Sequence, residues 1–156
     1  MNPTVAGIRA ARVEDAAGIA RLSGELGYPV DATDMRSRLV TVLASPSDMV
    51  RVYEEDGAVI GWLQAQASSS VESGLKVEIT GLVVAGNARR AGVGRALVAE
   101  AERWARERSA RTLVVRSNVR RAESHRFYPA AGFSLVKTQH VYSKPLSPEG
   151  ADVGKS

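Results

Sequence analysis

The chain has 156 residues, of which 44% are hydrophobic and 24% are charged, and its net charge is +4. This length and composition are typical of one globular domain with a core of its own. The chain has no cysteine, which excludes disulfides and a cysteine nucleophile. It has only two histidines, which excludes a metal site built from several histidines. The sequence shows no apolar run of membrane-spanning length and no signal-peptide pattern, so we expect a cytoplasmic protein with no metal and no membrane partner.

The charge is distributed unevenly along the chain. Residues 1–88 carry 7 basic and 11 acidic side chains, whereas residues 89–126 carry 11 basic and 4 acidic ones. The basic segment suggests an anionic partner, and the acidic first half would tolerate a cationic one. The alternative is that the 17 arginines reflect codon usage and a solvated helix face.

Hydrophobic spacing predicts strands that alternate with helices along the chain. The predicted strands are Gly7–Val13, Met49–Glu54, Ala58–Ala67, Lys76–Ala85, Thr112–Arg116 and Phe133–Lys144, the last as a strand pair or one bulged strand. The predicted helices begin near Asp15, after an N-cap at Asp31 or Thr33, near Val93 and near Arg120, the last with Gly132 as its C-cap. This order describes an α/β or α+β sheet with packed helices, in one domain over residues 1–145, followed by a disordered tail over residues 146–156.

The segment from Leu82 to Leu97 runs from a strand through a basic glycine loop into a helix. Backbone N–H groups at a helix start are unpaired, and glycines let a bulky anion approach them, so this loop suits a pyrophosphate. A Walker loop is excluded because no lysine occurs between Lys76 and Lys137. A dinucleotide fingerprint is excluded because Leu97 stands where a small residue is needed.

In this setting Arg89-x-x-Gly92-x-Gly94 resembles the acetyl-CoA signature of the GNAT superfamily of N-acetyltransferases, [Gln/Arg]-x-x-Gly-x-[Gly/Ala]. The resemblance covers residues 7–145 and includes Gly61-Trp62 at the hairpin and Phe127-Tyr128-x-x-x-Gly132-Phe133 near the end. It implies a central mixed, mostly antiparallel sheet with helices on both faces. The two strands that hold the cofactor, the third middle strand and the next one, should splay apart.

The resemblance further implies direct transfer of an acetyl group from acetyl-CoA to a primary amine, which agrees with the lack of cysteine. The pantetheine arm should lie along Leu82 and Val84, with a nearby backbone N–H polarising the thioester carbonyl. Asn118 is either a cofactor contact or a helix cap. The implied cofactor-binding residues are Leu82, Val83, Val84, Arg89, Arg90, Ala91, Gly92, Val93, Gly94, Arg95 and Asn118.

Two residues match catalytic positions of the family. An alkylammonium must lose its proton before it attacks, at a cost of roughly 4.6 kcal/mol at pH 7, so a base is useful. Glu78, eleven residues before Arg89, is the candidate base, or else an ordinary solvent-facing or ion-paired strand residue. Tyr128 is the candidate acid for the departing thiolate, or else a core aromatic. His125 is expected to be a packed or exposed helix residue, with a catalytic or cofactor role as the alternative, and His140 is expected to be structural.

The acceptor is expected to be a small cationic amine because residues 1–88 have a net charge of −4. The residues expected near its site are Glu25, Tyr28, Asp31, Asp34, Tyr53, Trp62 and Glu72, although core packing is the default for Tyr53 and Trp62. The alternatives are a lysine or N-terminal amine of a protein, and a non-catalytic acyl-CoA-binding regulatory module. A nucleic-acid binder using residues 89–126 is disfavoured because the aromatics of that segment look buried. The last strand offers an edge for a homodimer.

Overall fold

Five strands form one mixed sheet in the order β1-β2-β3-β4-β5. The computed structural model describes residues 6–86, 92–116 and 122–147, without the side chains of 122–124. Neighbours from β1 to β4 pair antiparallel, and β5 joins β4 in parallel. The sequence-based fold class is therefore confirmed. The strands are β1 (Ala6–Ala10), β2 (Asp48–Glu55), β3 (Ala58–Ser70), β4 (Gly74–Val84) and β5 (Leu113–Val115).

The helices lie close to their predicted positions. They are α1 (Ala16–Glu25), α2 (Ala32–Leu43), α3 (Val93–Glu107) and α4 (Ala122–Ala130). Asp31 is the N-cap of α2, and its side chain accepts a hydrogen bond from the Asp34 amide at 2.8 Å. The chain divides into two compact units, residues 1–115 and residues 116–156, so that α4 belongs to the second.

The β2–β3 hairpin turns at the predicted Asp56-Gly57 pair. Both residues have positive φ angles, 50° and 81°, as a type I′ turn requires. A bulge follows immediately, because Tyr53 pairs with Gly61 and Glu54 with Val59, which leaves Ile60 as the extra residue. The bulge turns Val59 to the same sheet face as Trp62.

Each face of the sheet has its own core within residues 1–115. The face covered by α1 and α2 carries one apolar cluster, Ala11, Ala16, Ile19, Leu22, Leu39, Val50, Val52, Val59 and Val83. The register places Leu63 and Ala65 on the opposite face, where α3 packs with its buried residues Val93, Leu97, Val98, Ala101 and Ala105. Gly61 lies on this second face, directly under α3.

An ionic cluster joins β1, β2 and the turn before α1. The Arg9 guanidinium donates to both carboxylate oxygens of Asp15 at 2.8 Å, and to Glu54 at 2.8 Å. The Asp15 carboxylate also accepts from the Arg12 amide and is 7% exposed. Burial raises the pKa of Asp15, but the hydrogen bonds from Arg9 and Arg12 together outweigh it, so the pKa lies below its ordinary value.

The prediction of a closing strand, or strand pair, over Phe133–Lys144 is wrong. The structure gives this segment no regular secondary structure, and apolar side chains such as Leu135 and Tyr142 are 86% and 90% exposed. The β-branched, alternating sequence has the propensity for a strand, but a strand forms only where a neighbour supplies ladder hydrogen bonds. Helix α4 ends at Ala130, one residue after Pro129, and Gly132 follows with a φ of 96°.

Replacing Gly61 with alanine should destabilise the fold. A Cβ at Gly61 would lie 2.9 Å from Val93 Cγ1 and 3.2 Å from Leu97 Cδ1 in a fully packed core. We expect Gly61→Ala to lower the free energy of unfolding by about 1–3 kcal/mol in urea denaturation. Gly7→Ala is the control, because nothing lies within 4 Å of a Cβ there. Equal stability of the two variants would contradict this packing.

Acid should weaken the ionic cluster. A carboxyl with a lowered folded-state pKa stabilises the protein above its unfolded pKa, and that stabilisation is lost as pH falls through the folded value. We expect Asp15→Asn to cost about 2–3 kcal/mol at neutral pH and to reduce the further loss below about pH 4. Glu72→Gln, at an exposed turn residue, is the control. An unchanged acid response in Asp15→Asn would contradict the cluster's role.

Candidate active site

Strand β4 changes its pairing near its middle. Gly81 pairs with Gln64 and Ile79 with Ala65, which leaves Thr80 as an extra residue in a bulge. The ladder from β4 to β5 covers only Val77–Ile79, whereas β4 continues along β3 to Val84. The β4–β5 ladder therefore ends one residue before the bulge, and the expected splay beyond it stays a prediction because residues 117–121 lie outside the described residues.

Next to the bulge, the side chain of Trp62 on β3 lies against Gly81 on β4, on the sheet face that α1 and α2 cover. A Cβ on Gly81 would lie 2.6 Å from Cζ3 and 2.7 Å from Cη2 of the Trp62 ring, so the indole lies directly against the Gly81 backbone. This contact needs glycine at position 81. Sequence reasoning missed the bulge, although an isolated glycine inside an apolar strand is a signal for one.

Glu78 lies on β4 on the same sheet face as Trp62. It pairs with Gln66 across the ladder, and cross-strand partners share a face. Its side chain is half-buried. The candidate base therefore lies beside the bulge on the sheet face that α1 and α2 cover, and not on the face that packs against α3.

The predicted cofactor residues of β4 lie just past the bulge. Leu82 and Val84 are half-buried and face the α3 side, whereas Val83 is buried in the cluster under α1 and α2. The structure therefore places all three on the part of β4 that extends beyond its β5 ladder.

Helix α3 begins directly after a left-handed glycine. Gly92 is the N-cap with φ 79° and ψ 14°, and its carbonyl accepts from the Ala96 amide at 3.0 Å. Val93 and Gly94 are buried, and Arg95 is exposed. The first backbone N–H groups of a helix have no partner within the helix. The start of α3 is therefore of the kind that binds anions. Four predicted cofactor residues lie outside the described residues: Arg89, Arg90, Ala91 and Asn118.

Tyr128 lies in α4, in the second unit. Its ring makes edge-on contacts with Phe127 and Phe133, with centroids 5.2 Å and 5.6 Å away. His125 is exposed on the same helix, and His140 lies in the exposed segment 6.4 Å from the Tyr142 ring. The described residues thus give neither histidine a buried site.

A cleft of about 140 Å³ opens between α2 and the sheet. Its lining residues are Ile19, Met35, Arg38, Leu39, Val42, Val50, Trp62 and Gln64. The buried Nε1 of Trp62 has no hydrogen-bond partner among the residues described, and the Gln64 amide donates to Asp48 at 3.2 Å. Trp62 therefore lines this cleft and also packs against the apolar cluster under α1 and α2, which was the default expected for it. Tyr53 pairs with Gly61 and so faces the α3 side instead.

The acidic residues expected near the acceptor lie in several places. Asp31 is committed to capping α2, Glu25 is exposed at the end of α1, and Glu72 is exposed in the β3–β4 turn. Within the described parts of the chain, no group of three or more potential ligands could hold a metal ion. The same residues include no helix both long and apolar enough to cross a membrane.

The sequence as a whole matches one family of enzymes. A sequence model of the acetyltransferase (GNAT) family matches residues 19–133. Aminoglycoside N(6')-acetyltransferase type 1 of Stenotrophomonas maltophilia is 30% identical over 146 residues, which cover 90% of this chain and 94% of that protein. The protein of the same name from Klebsiella aerogenes is 32% identical over 107 residues, which cover 67% of this chain and 70% of that protein.

Solved structures support the same fold. Aminoglycoside N-acetyltransferase AAC(6')-Iy in complex with CoA matches with a TM-score of 0.82 and 19% identity, over 92% of this chain and 97% of that chain. At this level of identity the likeness concerns the fold, which is the mixed sheet expected from the sequence.

Proposed function

The chain belongs to the acetyltransferase (GNAT) family and is an acetyl-CoA-dependent N-acetyltransferase, and we propose that its acceptor is the primary amine of a small cationic molecule. The observation that carries the proposal is Glu78, a carboxylate beside the β4 bulge on the face that also bears the α2 cleft. The relatives at 30% and 32% identity are, by name, aminoglycoside N(6')-acetyltransferases, and an aminoglycoside is a small cationic amine.

The donor side of the site is assigned to β4 and the start of α3. The left-handed Gly92 and the buried Gly94 fit a bulky anion that approaches the first amides of α3. We therefore assign the pyrophosphate of acetyl-CoA to residues 89–95 and its pantetheine arm to Leu82–Val84. Asn118 remains a proposed contact of that arm.

Glu78 is proposed to take a proton from the acceptor ammonium, directly or through water. The neutral nitrogen then attacks the thioester carbon, the C–S bond breaks, and the acetyl group forms an amide with the acceptor. A backbone N–H of β4 near Val83 stabilises the negative charge that develops on the carbonyl oxygen. Tyr128 is proposed to give its hydroxyl proton to the departing thiolate, and the second proton that the nitrogen loses on becoming an amide returns to the Tyr128 phenolate, directly or through water.

The remaining alternative concerns the acceptor. A protein lysine or N-terminal amine would be acetylated in place of small amines. A cytoplasmic location and a homodimer stay predictions.

Acetyl-CoA should bind through the loop before α3. Alanine at position 92 would have to adopt a φ of 79°, which costs roughly 1–2 kcal/mol in an L-residue. We expect Gly92→Ala to weaken acetyl-CoA binding about tenfold in calorimetric titration, since 1.4 kcal/mol corresponds to a factor of ten. Gly24→Ala, at a site with open space and no positive φ, is the control. Unchanged affinity in Gly92→Ala would contradict the assignment of this loop.

Loss of either proposed catalytic group should slow transfer without affecting donor binding. We expect Glu78→Gln and Tyr128→Phe each to lower kcat/KM with a small amine by about 10²–10⁴-fold at neutral pH. The assay is release of free CoA thiol, with acetyl-CoA affinity measured in parallel. Glu55→Gln, at the exposed end of β2, is the control. A variant that keeps the full rate is not part of the catalytic pair.

A further inference from the structure

The bulge at Thr80 reverses the direction of the backbone amides along β4. In a regular strand, successive N–H groups point alternately to one neighbouring strand and to the other. The Val77 amide donates to the Thr112 carbonyl, just before β5, at 3.1 Å, whereas the Ala85 amide donates to the Ile60 carbonyl of β3 at 2.9 Å. These two amides are an even number of residues apart, so a regular strand would point both the same way. The extra residue, Thr80, accounts for the reversal.

This reversal decides what β4 can offer to the two substrates. Past the bulge, the alternation turns the amides of Leu82 and Val84 away from β3, toward the side on which the β5 ladder has ended. Side chains change face in the same way, so Glu78 and Val83 share a face although they are an odd number of residues apart. A strand without the bulge would bond the two amides to β3 and would put Glu78 and Val83 on opposite faces.

The Trp62 ring supports β4 at the residue that follows the bulge. Trp62 is paired with Val83, and its ring reaches across to Gly81, the diagonal neighbour. Such neighbours are about 7–8 Å apart, within the reach of an aromatic side chain. A Cβ at Gly81 would lie 2.6 Å from Cζ3 and 2.7 Å from Cη2 of the ring. The ring therefore contacts the strand directly where regular pairing with β3 resumes.

The ring is itself held by the core. Trp62 packs against the apolar cluster under α1 and α2, and its partner on β2 is the fully buried Val52. The indole Nε1 is buried as well. A side chain in a close-packed interior has little freedom to move, so Gly81 lies against a fixed surface.

We propose that Trp62 is a positioning residue for acetyl transfer, which acts through Gly81 to hold the β4 bulge. Trp62 does not touch the reacting atoms. It keeps the amides of Leu82 and Val84 turned toward the thioester and keeps Glu78 on the acceptor side. The inference rests on the proposed function, because that function places the thioester carbonyl beside this part of β4.

The first test measures the polarisation of the thioester carbonyl by infrared spectroscopy. Acetyl-CoA labelled at its carbonyl carbon should have a lower C=O stretching frequency when bound than when free, because a backbone N–H donates to the carbonyl oxygen. In Gly81→Ala the new Cβ overlaps the ring and displaces β4. We expect this variant to lose most of the frequency shift and to lower kcat/KM about 10–100-fold, while its affinity for free CoA changes by no more than about twofold. An unchanged frequency shift and rate would overturn the proposal.

Leu22→Ala is the control for a loss of stability alone. Leu22 is fully buried in the same apolar cluster, on α1, so its truncation should lower the free energy of unfolding in urea. The frequency shift of bound acetyl-CoA should nevertheless stay as in the wild type. An equal loss of the shift in Leu22→Ala would mean that Trp62 and Gly81 act through general stability, against the proposal.

The second test is a double-mutant cycle. Trp62→Leu removes the ring atoms that a Cβ at Gly81 would meet, and it should lower kcat/KM because the bulge loses its support. In this background, Gly81→Ala should change kcat/KM by no more than about twofold, since residues in contact give non-additive effects. If Gly81→Ala costs the same factor with and without the ring, the two residues do not act together and the proposal fails.

A measurement without either substrate separates this proposal from the proposed function. Nuclear Overhauser contacts in the wild type should show Trp62 opposite Val83 and Gln66 opposite Glu78. In Gly81→Ala the first pair should be lost or move by one residue, whereas the second stays. If the register changes in this way but wild-type protein does not lower the carbonyl frequency, the backbone donor of the proposed function fails and the role of Trp62 in holding the bulge stands. If the register is unchanged because the ring moves instead, the role of Trp62 fails.

Discussion

The contact of the Trp62 indole with the backbone of Gly81 connects the core of this protein to its chemistry. The ring can lie there because position 81 has no side chain, and Thr80 bulges from β4 immediately before it. The same bulge lies directly after the last pair of the β4–β5 ladder, so one local irregularity lies between the end of that ladder and the contact with the Trp62 ring.

Much of the fold could be predicted from the sequence because its signals are local. Asp56-Gly57 specifies a tight hairpin turn, Asp31 caps α2, and apolar spacing identifies the helices. Gly81 was a local signal for the bulge at Thr80, but the exact positions of the bulges at Ile60 and Thr80 could not be predicted, because a bulge is a relation between two strands in register. The α2 cleft is harder still to predict, since its lining comes from four separate elements, α1, α2, β2 and β3.

The segment Phe133–Lys144 shows that strand propensity alone is not enough to predict a strand. Its residues favour an extended backbone, yet the structure shows it without a strand and with its apolar side chains exposed. Strand propensity describes how well a residue fits a pleated surface, and it provides no neighbouring strand. For the proposed catalytic residues the family resemblance was needed as well, because one glutamate and one tyrosine have no spacing that identifies them as a pair.

The net negative charge of residues 1–88 is only an indirect argument for a cationic acceptor. Asp15 and Glu54 both bind Arg9, Asp31 caps a helix, and Asp48 accepts from Gln64. These carboxylates have partners within the fold, so much of the net −4 of residues 1–88 is committed to structure. Recognition of an amine then depends on where single groups lie. The proposed function assigns that role to Glu78, whose carboxylate lies beside the β4 bulge on the face that also bears the α2 cleft.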